Sequence, residues 1–191
     1  MKIYTRTGDT GTSSLYTGDR MEKDDPTFEA LGNIDECSAM IGSAIAAMPD
    51  TVELDEIREQ LAIIQHTLFD VGAAVATPES TARETAKAKT RFSHDGTTAL
   101  EQWIDAMDTE LPTLKTFILP GGHLAGALLH MARGTCRRSE RTVVPIVREG
   151  NTSEQVMIYL NRLSDYLFVA SRYVNHLLES HEMPWQPHLQ A

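Results

Sequence analysis

EQVMIYLNRLSDYLFVASRYVNHLLES occupies residues 154 to 180, and its reading decides the fold. Val156, Leu160, Leu163, Leu167, Ala170, Val174 and Leu177 recur at three- and four-residue intervals, which places them on one stripe of an amphipathic helix. GNTS, residues 150 to 153, supplies a stop and a cap immediately before it. A stripe of this length needs other apolar stripes to cover it, and the chain upstream provides them. His123 to Arg148 reads as a helix whose end Pro145 should kink or shorten. Leu100, Ile104 and Met107 mark another from Asp95 to Thr109. Leu54, Ile57, Leu61, Ile64, Leu68, Val71 and Val75 mark a third that stops near Pro78, and Ala30, Ile34, Met40, Ile41, Ile45 and Met48 a fourth that starts at Phe28 and stops before Pro49.

Five helical segments with hardly any strand signal predict an all-α fold, a five-helix bundle of one domain over residues 1–191. Residues 1–27 form a glycine-rich arm, 28–182 the bundle and 183–191 a tail, with nothing structured expected beyond Met183. The polar stretch 79–93 reads as a mobile loop. No internal repeat is visible.

A formal net charge of −10 argues against a general nucleic-acid surface, because phosphate neutralisation needs clustered cations in excess. The two cysteines, Cys37 and Cys136, form no CxxC pair and suggest neither a disulfide framework nor a zinc knuckle. With no apolar signal core and no membrane-length apolar run, a cytoplasmic protein is expected. No His has a Glu three residues before it, no two His are four apart, and no P-loop or dinucleotide fingerprint occurs, so no metal site is expected from the protein alone.

Three patterns carry chemistry. In ARGTCRRSER, residues 132 to 141, Arg133, Arg137 and Arg141 are spaced by four and rise along one slowly rotating helix face. Guanidinium groups in a row repel one another, so either acidic neighbours match them or they bind a polyanion such as triphosphate. Glu140, three residues after Arg137, is placed to orient it. In YLNRLSDYLF, residues 159 to 168, Asn161 and Asp165 lie one turn apart and need polar partners, and NIDECS, residues 33 to 38, adds Asp35 and Glu36 as ion-pair candidates. The arm YTRTGDTGTSSLYTG, residues 4 to 18, is rich in Gly, Ser and Thr. Thr5, Thr7, Gly8, Thr10, Gly11, Ser13 and Ser14 can offer N–H and hydroxyl donors to phosphate oxygens, with Arg6 and Lys23 supplying charge.

YTRTGDTGTSSLYTGDRMEKDD, FEALGNIDECSAMIG, FILPGG, ARGTCRRSER and YLNRLSDYLF, in this order, resemble the PduO-type ATP:cob(I)alamin adenosyltransferases over residues 3 to about 176. The resemblance implies a ferritin-like up-and-down five-helix bundle that assembles as a homotrimer, with ATP at the subunit interface. By the same resemblance Thr5, Arg6, Thr7, Gly8, Ser13, Ser14 and Lys23 match the nucleotide-binding arm, and Arg137, Arg138, Glu140, Arg141 and Asn161 the remaining ATP contacts. Asp35 and Arg133 match a pair bridging subunits beside the corrinoid, Phe117 matches an aromatic crowding the lower axial face of cobalt, and Asp165 falls at a position important for activity. Ser139 stands where alanine is usual.

The chemistry so implied is attack by Co(I) of cob(I)alamin on C5′ of ATP, giving adenosylcobalamin and triphosphate. Charge builds on the leaving triphosphate, so Arg137, Arg141, Lys23 and Mg²⁺ are expected to stabilise the transition state more than bound ATP. No general base is required. A bulky apolar side chain at Phe117 would exclude the axial ligand and favour four-coordinate Co(II), the form that is easier to reduce. A corrinoid reductase and an adenosylcobalamin-dependent enzyme are the expected partners, with no nucleic acid or membrane. The alternatives are an ATP- and corrinoid-binding sensor or delivery protein without catalysis, and a purely structural helical oligomer.

Overall fold

The computed structural model describes residues 3–186. Five long helices make the bundle: α1 (Pro26–Ala46), α2 (Asp55–Val75), α4 (Asp95–Glu110), α5 (Leu124–Arg148) and α6 (Glu154–Leu177). A short α3 (Glu84–Thr90) and four strands of two or three residues, β1 (Thr12–Ser14), β2 (Arg20–Glu22), β3 (Ile118–Leu119) and β4 (Met183–Pro184), complete it. α5 lies between α1 and α6, α2 packs beside α1, and α4 packs beside α6.

Local chemistry sets the helix starts. The Asp25 carboxylate accepts from Thr27 N at 2.8 Å, with Pro26 entering the first turn where its missing N–H costs nothing. Ser153 caps α6 by accepting from Gln155 N at 3.2 Å. His123 Nδ1 does the same for α5, accepting from Ala125 N at 3.1 Å. Pro145 does not shorten α5, which runs on to Arg148; Glu149 N donates to Pro145 O at 3.0 Å, so only the proline's own missing donor is lost. α6 stops three residues before Ser180, because Glu179 takes a left-handed φ of 50° and Ser180 N turns back to Asn175 O at 2.8 Å.

The core is one continuous cluster. Ile41, Leu61, Ile64, Leu160, Leu163 and Leu167, from the stripes that the periodicity marks, are buried in it together with Leu129 and Cys136 of α5. Tyr166 is fully buried and its hydroxyl donates to Gln60 Oε1 at 2.9 Å, joining α6 to α2. Trp103 of α4 packs edge-on against the Tyr166 ring at 5.9 Å.

Two expectations are corrected. The stretch 79–93 is not all loop: residues 84–90 are helical although none is buried, and Lys87 bridges Glu84 at 3.0 Å and Glu79 at 3.6 Å. The chain beyond Met183 is not unstructured either. β4 pairs antiparallel with β3, and Trp185 N donates to Phe117 O at 2.7 Å. Residues 187–191 of the expected tail lie outside the described residues. Among the described residues no helix is long and apolar enough to cross a membrane.

Candidate functional site

The arm is an ordered hairpin. β1 and β2 pair from Thr12 opposite Glu22 to Ser14 opposite Arg20, and Gly18, at φ 90°, makes the turn. Leu15 is buried and Tyr16 N donates to Ala76 O at 3.2 Å, which fastens the hairpin to the end of α2. Upstream, the TRTGD segment turns back on itself. Arg6 holds φ 60°, Asp9 N donates to Arg6 O at 3.4 Å and Gly11 N to Gly8 O at 3.3 Å.

A methyl group on Gly8 would stand 3.2 Å from Lys23 Nζ, so the glycine leaves room for the ammonium to cross the loop. Thr5 and Thr7 hydroxyls bond each other at 2.9 Å. Thr5, Arg6, Thr7 and Lys23 are exposed, Gly8 and Ser13 half-buried and Ser14 exposed. The loop is thus folded and still presents its donors and two cations to solvent. Its organiser is Arg20, whose guanidinium bonds the Thr7 carbonyl and the Thr12 hydroxyl. Sequence reasoning missed it; its only signal is its position two residues after the turn glycine.

The arginines of α5 divide by partner. Arg138 donates from Nε to Asn33 Oδ1 at 2.8 Å and pairs with Glu36, so it ties α5 to α1. Asn33 also reaches Glu29 at 3.3 Å and Thr142 at 3.4 Å, a relay that the sequence did not single out. Arg137 and Arg141 are exposed and, among the described residues, pair with no carboxylate; Arg141 Nη1 donates only to Arg137 O, at 3.0 Å. Glu140 does not orient Arg137. Its carboxylate accepts from Asn161 Nδ2 at 2.9 Å, which brings Asn161 to the stripe. Asp165 faces away from that cluster and bonds Arg162 Nη1 at 2.9 Å, while Arg162 Nε holds Glu101 of α4 at the same distance.

Arg133 lies over the Phe168 ring at 5.8 Å, and its Nε is buried without a hydrogen-bond partner among the described residues. His130 packs edge-on against the same Phe168 ring, with 6.1 Å between centroids, and lies 3.2 Å from the Ser171 hydroxyl. Burial first, and then the Arg133 charge, push the His130 imidazole below its ordinary pKa. Asp35 is exposed on α1 and, among the described residues, forms no ion pair; it borders an apolar hollow of about 220 Å³ with Tyr16, Ile34 and Phe69. Asp35 and Arg133 therefore do not meet within one chain.

Phe117 precedes β3 and is 79% exposed, an aromatic ring left in solvent by a well-packed bundle. Trp185 meets it edge-on at 6.5 Å. The Pro120–Gly122 turn then leads into α5, with Gly122 at φ 88° and Asn175 of α6 locked against it: Asn175 Nδ2 donates to Gly121 O at 3.1 Å and Asn175 Oδ1 accepts from His123 N at 3.0 Å. Along α5, Arg137 lies 13 residues beyond Leu124, roughly 20 Å at the helical rise. One chain thus holds the exposed aromatic at one end of α5 and the open guanidinium pair midway along it.

The model of the family described as cobalamin adenosyltransferase matches residues 3–174, from the arm through α6. The chain belongs to the cobalamin adenosyltransferase family. Corrinoid adenosyltransferase MMAB of Homo sapiens is 50% identical over 172 residues, spanning 90% of this chain and 68% of its own. The corrinoid adenosyltransferase of Bacillus subtilis is 42% identical over 175 residues, with 92% and 87% covered. Among solved structures, a Phe-to-Ala variant of the PduO-type ATP:corrinoid adenosyltransferase from Lactobacillus reuteri, complexed with cobalamin and ATP, superposes with a TM-score of 0.88 at 34% identity. It covers 97% of this chain and all of its own. For a member of this family the open arginine pair and the donor-rich arm are the features to explain.

Proposed function

We propose that this chain transfers the 5′-deoxyadenosyl group of ATP to the cobalt of cob(I)alamin or a related corrinoid, giving adenosylcobalamin and triphosphate. The Co(I) electron pair forms the Co–C bond, the C5′–O bond breaks, and its electrons leave on the triphosphate oxygen. The corrinoid brings the nucleophile, so the protein's contribution is position and electrostatics. The observation that carries this reading is the Arg137–Arg141 pair, two guanidinium groups exposed and unmatched by any described carboxylate in a chain of net charge −10. Such a pair is open to the leaving group and gains most when charge accumulates on it.

Thr5, Arg6, Thr7, Gly8, Ser13, Ser14 and Lys23 would hold the phosphates from the arm, while Arg138, Glu140 and Asn161 fix the floor of the stripe. Among the described residues no group of three or more carboxylate, His or Cys side chains gathers to hold a metal. Mg²⁺ would be carried largely by the triphosphate oxygens and water, as it commonly is at nucleotide sites. Asp165, tied to Arg162, would steady the Arg162–Glu101 contact between α6 and α4 and bear on the reaction through that contact.

The homotrimer that the family resemblance implies is supported by the unmatched groups. Asp35 and the orphaned Arg133 Nε carry complementary charge on separate faces of one chain, and the arm makes no described bond to Arg137 or Arg141. Complementary patches that cannot meet within a chain can meet between copies associated head to tail, and close a ring where the rotation between copies allows it. A corrinoid reductase and an adenosylcobalamin-dependent enzyme would flank the reaction, and the buried thiols Cys37 and Cys136 suit the reducing cytoplasm.

The test is an anaerobic assay with ATP, Mg²⁺ and chemically reduced cob(I)alamin, following the light-sensitive adenosylated product. Arg137→Ala should lose about 2–4 kcal/mol of transition-state stabilisation, roughly 30- to 1000-fold in kcat/KM, with assembly intact. ATP binding without product in the wild-type protein would overturn the transferase reading in favour of a sensor or delivery role.

A further inference from the structure

Two buried polar side chains on α6 have no place in the chemistry above. Arg172 is 4% exposed and Asn175 1% exposed, three residues apart and so on one helix face. Arg172 Nη2 donates to Pro112 O at 2.9 Å and Nε to Glu182 Oε2 at 3.3 Å. Asn175 takes Gly121 O and His123 N. Pro112 and Gly121 bracket the segment that carries Phe117, and Glu182 immediately precedes β4, which pairs with β3 in that segment. Burying a guanidinium is costly unless its donors are used. Here they are used on two chain segments that share nothing except the Phe117 ribbon.

We propose that Arg172 is a positioning residue for the corrinoid reaction, clamping the entry to the Phe117 segment and the β4 strand together while Asn175 fixes the exit. The clamp rests on the reading of Phe117 as the ring that faces cobalt. An exposed aromatic on a thirteen-residue connection, residues 111–123, cannot hold one height by its own packing; here the ribbon register does so, and the register depends on Glu182 being anchored. Glu182 Oε1 is buried without a described partner, so that carboxylate is held by Arg172 alone.

The test compares two starting corrinoids in the full-length protein. Turnover is measured from Co(II)alamin with a reductant and from pre-formed cob(I)alamin, because displacing the axial ligand matters only for the first. Glu182→Ala and Arg172→Lys, which keeps the charge and loses the fork, should fall by about tenfold or more from Co(II)alamin and by less than about threefold from cob(I)alamin, with KM for ATP unchanged. Glu182→Gln retains an amide oxygen for Nε and should recover most of the Co(II) rate. Equal losses from both corrinoids would mean a general structural role and would overturn the clamp. Wild-type Co(II) rates in Glu182→Ala and Arg172→Lys beside an impaired Phe117→Ala would overturn the clamp and leave the reading of Phe117 standing. Wild-type Co(II) rates in Phe117→Ala would remove the ring's role, and the clamp would fall with it.

Discussion

Gly126 on the first turn of α5 admits no side chain, and the cost of giving it one can be worked from the Asn175 geometry. A Cβ there would lie 2.4 Å from Asn175 Oδ1 and 2.9 Å from its Cγ, inside any real contact distance. Asn175 is buried and cannot yield without releasing Gly121 O and His123 N. Two lost hydrogen bonds cost about 1 kcal/mol each. Residual overpacking adds about 1–3 kcal/mol, and the helix gains back about 1 kcal/mol from Gly to Ala. Gly126→Ala should therefore destabilise by roughly 2–4 kcal/mol, read by urea unfolding at matched chain concentration.

The Asn175→Ala background supplies the decisive control. With the amide gone, the new methyl enters vacated space, so Gly126→Ala should there be neutral or stabilising by up to about 1 kcal/mol. An equal cost in both backgrounds, or no cost in the wild type, would refute the reasoning that Asn175 excludes a side chain at 126.

Tyr166→Phe should cost about 1–3 kcal/mol, because Gln60 Oε1 is left buried and unpaired; thermal melting reads it. His130 has a folded pKa below its unfolded value, so the unfolded state binds the extra proton and stability falls as pH drops through the ordinary imidazole range. His130→Gln should flatten that part of a melting-temperature profile between about pH 5 and 7.5, whereas an unchanged slope would assign it to other groups. Cys136, whose Sγ donates to Leu160 O at 3.2 Å, has its thiol pKa raised well above the ordinary value by the neighbouring Cys37 thiol and by burial. A thiol reagent at neutral pH should thus modify neither buried cysteine until the protein unfolds; rapid labelling of the native form would contradict the packing.

The long helices were legible because their apolar residues repeat at the helical period and several ends carry signals: Ser153 before Glu154, Pro49 and Pro78 as stops. The start of α1 reads two residues late, at Phe28, because the helix begins at Pro26 with the Asp25 cap, ahead of its first apolar residue. Helix α3 was not, since it buries nothing and no apolar stripe marks residues 84–90. The β3–β4 ribbon joins Ile118 to Pro184, and two-residue strands so far apart have no periodicity to read. The arginine spacing at 133, 137 and 141 was plain, yet spacing alone left open whether carboxylates neutralised it. Only packing showed Arg138, outside the four-residue spacing, paired with Glu36, and Glu140 turned toward Asn161.

By itself, then, the sequence determined an all-α bundle with a donor-rich arm and a basic helix face, because periodicity, caps and local charge are properties of neighbouring residues. Tertiary structure decided which guanidinium groups stay open, that Arg20 folds the arm, and that Arg172 and Asn175 hold the Phe117 segment at both ends. Those outcomes depend on side chains brought together from distant points of the chain, where burial makes each unmet hydrogen bond costly enough to select one arrangement.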